Sequence, residues 1–90
     1  MADTIRGPVT NIVDGDTFDM KVTHVGKKNN EEYNDTERVR IARIDTPEMS
    51  TEAGKKAKEA LEKKLLGKEV RCTVQTRDTF SRIVATVDIL

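Results

Sequence analysis

Residues 38–48 read RVRIARIDTPE. Val39 and Ile41 alternate with Arg38 and Arg40, the two-residue period of a half-buried strand, so Arg40 points away from the face that takes Val39 and Ile41. Pro47 lacks an amide hydrogen and steers Thr46 away from helical angles, which stops the strand. The stretch predicts a third strand over 38–44 that ends at an acidic corner, Asp45-Thr46-Pro47-Glu48, with an arginine on the strand leading into it.

Toward the amino terminus, 6–13 reads as a strand interrupted early by Pro8, and 17–25 as its antiparallel partner across an Asp14-Gly15 turn. Residues 26–37, GKKNNEEYNDTE, mix Asn, Gly and both charges without periodicity and predict an exposed connection. Toward the carboxyl terminus, Ala53, Ala57, Ala60, Leu61 and Leu65 recur at intervals of three and four, the stripe of an amphipathic helix over 50–66. Ser50 or Thr51 caps it and Gly67 stops it, with Glu52/Lys56 and Glu59/Lys63 spaced for pairs on the wet face. Val70, Cys72 and Val74 alternate in a fourth strand. A polar turn over 77–81 then leads to Ile83, Ala85, Val87 and Ile89 in a fifth. The fold class is mainly β with one helix. The order β-β-β-α-β-β suits a five-stranded Greek-key barrel plugged by its helix, the OB-fold. A five-stranded sheet with one packed helix, differently connected, would bury the same side chains.

At 90 residues the chain is one domain, 1–90, and 36% apolar residues without Trp give it a small core. Lys plus Arg equal Asp plus Glu at 16 each, so attraction for a polyanion must come from local clustering. Cys72 has no partner for an internal disulfide, falls short of a structural zinc site, and reads as a strand thiol facing the core. No apolar run reaches signal-peptide or membrane-spanning length, so the chain reads as soluble with no membrane partner; the compartment stays open.

Asp16, Asp45 and Glu48 set against Arg40 and Arg82 carry the chemistry. If the first three strands are neighbours, the start of the second and the end of the third share one barrel rim, bringing Asp16 toward Asp45. Two carboxylates brought together repel unless a cation intervenes. The candidate ligands are all oxygens and His24 stands apart on a surface strand, which favours calcium over zinc. A guanidinium fork matches the free oxygens of a phosphodiester. Each piece has a bland counterpart: a hairpin turn at Asp14-Gly15-Asp16, a helix-leading loop at Asp45–Glu48, solvated arginines. Their conjunction points to metal-assisted phosphodiester hydrolysis.

Three ordered blocks carry a resemblance: Val13-Asp14-Gly15-Asp16-Thr17, then Arg40 followed by Ile44-Asp45-Thr46-Pro47-Glu48, then Asp78-Thr79-Phe80-Ser81-Arg82 followed by Ala85. With the intervening helix and Leu66-Gly67-Lys68-Glu69-Val70, they resemble the staphylococcal nuclease (thermonuclease) family of nuclease-like OB-fold domains over about residues 9–90. The resemblance implies a calcium-dependent endonuclease on DNA and RNA, tolerant of sequence, that leaves 3'-phosphate ends. It assigns Ca2+ to Asp16, Asp45 and the Thr46 carbonyl, and gives Glu48 the part of accepting a proton from, or orienting, the attacking water. Arg40 and Arg82 would clamp the scissile phosphate and stabilise its charge. Phe80 replaces the family's tyrosine, as a substrate-facing ring or a buried one, and Ser81 replaces a glycine, changes expected to shift the Arg82 loop. Relatives continue past the position of Leu90 into further helices. Without them, nucleotide binding is expected to weaken, and exposed apolar barrel surface is expected to favour self-association. A non-catalytic OB-fold module that binds nucleic acid or protein is the alternative, and a structural calcium or salt-bridge cluster a third. The resemblance leaves a secreted origin open.

Overall fold

Strand β1 (Asp3–Asp14) is long enough to serve two neighbours, and that is what closes the sheet. Its first half, residues 3–8, pairs antiparallel with β5 (Glu69–Arg77), and its second half, from Val9, pairs with β2 (Thr17–Lys21). β2 continues antiparallel to β4 (Thr36–Ile41), β4 runs parallel to β6 (Ile83–Ile89), and β6 returns antiparallel to β5. A computed structural model describes residues 3–90 and shows this ring as a closed five-stranded barrel with one helix, the OB-fold architecture. The two sets of partners held by β1 exclude an open sheet.

The barrel interior holds the alternating residues of every wall strand: Ile5, Val9 and Ile12, Phe18 and Met20, Val39 and Ile41, Val70, Cys72 and Val74, Ile83 and Ala85. Helix α1 (Glu52–Leu65) adds Leu61 and Leu65 at one end and packs against β1. Cys72 lies wholly inside with Sγ 3.7 Å from the Met20 sulfur, and burial pushes its thiol up to about 12. Thr51 is the helix cap, its Oγ1 accepting from Gly54 N at 3.0 Å, and Gly67 ends the helix at φ +78°.

Four expectations are corrected. Pro8 does not interrupt β1: it sits where the strand exchanges one partner for the other, opposite Glu69, so its missing N–H breaks no ladder. The second strand does not run to Val25. It breaks after Lys21, because Val22 N donates to Asp35 O (2.7 Å) and Thr23 N to Arg6 O (2.9 Å), and His24–Val25 form a separate short strand, β3, on β1. The third strand ends at Ile41 and not at Ile44; Arg43 takes a left-handed φ of 65°, which turns the chain out of the sheet. The helix buries Gly54, Leu61 and Leu65, while Ala53 and Ala60 face solvent.

Residues 26–37 are tied down more firmly than their composition implies. Asp3 accepts hydrogen bonds from the amides of Asn30 (2.8 Å) and Glu31 (3.0 Å) and from the Tyr33 hydroxyl (2.7 Å). The last two residues of the stretch belong to β4, where the buried Glu37 carboxylate pairs with Arg77 at 3.2 Å.

Candidate active site

The tight β1–β2 turn presents two acids side by side. Asp14 Oδ1 accepts from Asp16 N at 3.0 Å, and Thr17 Oγ1 donates to Asp16 Oδ1 at 2.8 Å. Gly15 between them sits against the acidic corner: a Cβ there would lie 2.9 Å from Thr46 Cγ2 and 2.8 Å from Ala57 Cβ. Only glycine allows the turn, the Asp45–Glu48 segment and the helix to meet this closely. Ile41 N donates to Asp16 O at 2.8 Å, which fixes the turn to the end of β4.

Arg40 joins the two acidic elements. Its register partners are Thr17 on β2 and Val84 on β6, and its side chain lies outside the barrel. A single guanidinium nitrogen, Nη2, stands 3.5 Å from Asp16 Oδ2 and 3.4 Å from Asp45 Oδ1, and donates to Ile44 O at 3.3 Å. The Asp16 side chain is 13% exposed and that of Asp45 entirely so, which makes Asp16 the anchored carboxylate and Asp45 the adjustable one.

Arg82 precedes β6 on the same outer face as Val84, the neighbour of Arg40. Its Nε donates to Asp78 Oδ2 at 2.7 Å, and its guanidinium lies over the Phe80 ring, 5.2 Å from the centroid. Phe80 itself is 78% exposed and so takes the surface-facing alternative. Ser81, at φ 64°, occupies the left-handed conformation that glycine adopts most readily.

The electrostatics follow the geometry. Burial, the contact with Asp14 and the Asp14 charge together hold the Asp16 carboxyl above its ordinary value. For Asp14 burial pulls the same way, but hydrogen bonds from Asp16 and Thr17 and the charge of Arg82 outweigh it and leave the carboxyl lowered. The β4–β6 register, which sets Val84 beside Arg40, puts Arg82 two residues from that position on the neighbouring strand's approach.

Asp16, Arg40 and Asp45 thus come together, Thr46 packs beside them through its methyl, and Arg82 with Phe80 lies on the loop that leads into β6, the neighbour of β4. Glu48 is different. Its carbonyl accepts from Thr51 N (3.0 Å) and Oγ1 (2.7 Å), but its carboxylate makes no ion pair or hydrogen bond among the described residues. Among those residues, no group of three or more His, Cys, Asp or Glu forms a ready metal cage. The donors near Arg40 are nevertheless all oxygens, and its Nη2 already marks a cation position between two carboxylates, so a hard cation that keeps much of its water fits the residues present.

Two further residues take part. Asp14, a turn residue by its sequence, caps the Asp16 amide through its carboxylate. Asp78, which the sequence offers only as the first residue of the third block, pairs with Arg82 four residues on.

A closed OB barrel with acids and guanidinium groups gathered on one rim defines the class of nuclease-like OB-fold domains. The family model described as "Staphylococcal nuclease homologue" matches residues 38–90, and the chain belongs to that family. It is 33% identical over 102 residues to a protein of Arthroderma otae named "Probable endonuclease LCL3", covering 93% of this chain and 36% of that protein. It is 34% identical over 82 residues to the "Micrococcal nuclease" of Shigella flexneri, covering 91% of this chain and 41% of the relative. The chain therefore spans about two fifths of the length of these relatives.

Proposed function

We propose that the rim is the active site of a calcium-dependent nuclease that hydrolyses DNA and RNA backbones without sequence preference and leaves 3'-phosphate ends. The observation that carries the proposal is the single Arg40 nitrogen held between Asp16 and Asp45, which unites hairpin, acidic corner and phosphate-binding arginine in one place. The family match and the nuclease names of the relatives support it.

The charge balance supports the part given to a divalent cation. Asp14, Asp16, Asp45 and Asp78 already outnumber Arg40 and Arg82, and Glu48 adds a fifth carboxylate at the acidic corner, a net negative local charge that repels a polyanion. Asp16, Asp45 and the Thr46 carbonyl would hold Ca2+, which when bound offsets this charge and polarises the phosphate and the water. Arg40, released from the carboxylates, and Arg82 bind the non-bridging oxygens and stabilise the charge that grows on them in the transition state. Glu48, exposed and unpaired, is free to swing toward the water and take its proton. The water oxygen bonds to phosphorus as the bond from phosphorus to the 5' oxygen breaks, the 5' oxygen takes a proton from solvent and leaves as an alcohol, and the phosphate remains on the 3' side. Phe80 offers an exposed ring for stacking on a base, which is sequence-tolerant because every base has a π face.

Digestion of end-labelled DNA and RNA oligonucleotides with calcium tests this reading. Phosphatase-sensitive 3' ends and a loss of about 10²-fold or more in Arg82→Ala are expected. Tight binding of the oligonucleotides with no cleavage would instead identify a binding module.

A further inference from the structure

The rim arginine Arg82 is held by a residue with no role so far. Asp78 gathers the whole 78–82 loop around its carboxylate. Oδ1 accepts from the amides of Phe80 and Arg82, both at 2.9 Å, and Oδ2 accepts from Arg82 Nε at 2.7 Å. Its backbone closes the same turn, Asp78 N donating to Arg82 O at 2.9 Å and Ser81 N donating to Asp78 O at 3.0 Å. The Phe80 ring lies against one face of the guanidinium. Neither Nη atom of Arg82 makes a hydrogen bond or ion pair among the described residues.

We infer that Asp78 is the positioning residue for Arg82: by engaging Nε alone, it aims the free Nη pair at the phosphate side of the rim. The inference rests on the nuclease reading and deepens it. A guanidinium grips two phosphate oxygens best through a flat pair of N–H groups in a fixed plane. An unanchored arginine must lose its rotamer freedom at every turnover, and a misplacement of about 1 Å costs on the order of 10²-fold in rate. The left-handed Ser81 is what lets the main chain fold back so that two amides and one guanidinium nitrogen meet one carboxylate.

The test combines kinetics with a signal that does not need turnover. Hydrolysis of a single-stranded DNA oligonucleotide in calcium is measured for the wild type, Asp78→Asn, Arg82→Ala and the double variant, with melting temperatures alongside. The Arg82 Nε–H resonance is followed by proton–nitrogen NMR in the wild type and Asp78→Asn. The expected results are a kcat about tenfold lower in Asp78→Asn with KM within about twofold, no further loss when the change is added to Arg82→Ala, and an Nε–H protected from exchange only when Asp78 is present. Arg82→Lys, which keeps the charge but has no Nε–H, should lose kcat as Asp78→Asn does, and it serves if the latter folds poorly. An undiminished effect of Asp78→Asn on top of Arg82→Ala, a loss that merely follows the melting temperature, a wild-type kcat in Arg82→Lys, or an unprotected Nε–H in the wild type overturns the inference. A protected Nε–H in a wild type that cuts nothing overturns the nuclease reading instead, and the catalytic part of the inference with it.

Discussion

Asp16 is the residue at which function and stability pull apart. Its carboxyl is held above the usual range because burial and the adjacent Asp14 disfavour its charge. A raised folded-state value means that the fold binds the proton more tightly than the unfolded chain does. The contribution to stability is therefore full below the unfolded value and is lost as pH rises through the folded one. Asp16→Asn should consequently melt higher than the wild type at neutral pH in chelator, with the difference shrinking toward acid, when both are scanned calorimetrically; a lower melting temperature at pH 7 contradicts the electrostatic reading. Asp3, Asp14, Asp19 and Asp78 are shifted the other way, so they favour the fold above their unfolded values and that support fades on acidification. Ser81 is a second site of strain. A non-glycine residue at φ 64° costs about 1 kcal/mol relative to glycine, so Ser81→Gly should raise the melting temperature by about 4–8 °C. Urea denaturation checks it, and a destabilised variant would show that the Ser81 side chain has a compensating partner.

At the scale of elements, helix α1 reaches the acidic corner through Gly54. A Cβ on that residue would lie 1.9 Å from Glu48 O, a backbone atom that has nowhere to go. Gly54→Ala should thus cost about 1–3 kcal/mol and drag the Asp45–Glu48 segment away from Asp16, seen as a lower urea midpoint together with a loss of calcium-dependent cleavage. Stability unchanged in that variant would mean that the corner is softer than its contacts imply. The elements themselves were legible wherever burial follows a period: Val70, Cys72 and Val74 alternate in sequence and in the barrel, and Leu61 and Leu65 mark the inner face of the helix. What escaped notice depends on partners far away in sequence. Val22 and Thr23 look like strand residues, yet their amides are drawn off by Asp35 and Arg6. Arg43 turns left-handed without the glycine or asparagine that would announce it, and leaves apolar Ile44 41% exposed. Alanine carries too little surface to signal a face, so Ala53 and Ala60 fit the helical stripe and still point outward. The nearness of Asp16, Arg40 and Asp45 was legible as residue types in order, because the OB-fold order brings strand ends to one rim. The contacts of Asp14 with the Asp16 amide and of Asp78 with the Arg82 guanidinium are not legible in the sequence, since each is a local contact hidden inside a common turn.

For the molecule as a whole, sixteen cationic and sixteen acidic residues cancel, so nothing global draws in a nucleic acid. Under the proposed function the attraction has to be made at the rim, where aspartates outnumber the arginines they pair with. The barrel makes the rim possible. Closure through β1 fixes the hairpin turn, the end of β4 and the start of β6 relative to one another, while the Glu37–Arg77 pair and the Asp3 hydrogen bonds secure the 26–37 connection elsewhere on the barrel. The most direct test is nicking of a supercoiled plasmid by this 90-residue chain in calcium and in chelator, with Asp16→Asn beside it. Conversion to open-circle and linear forms only with calcium, and a loss of about 10²-fold or more in Asp16→Asn, is expected. Equal nicking in chelator, or full activity in a folded Asp16→Asn, would contradict a calcium-dependent active site at this rim.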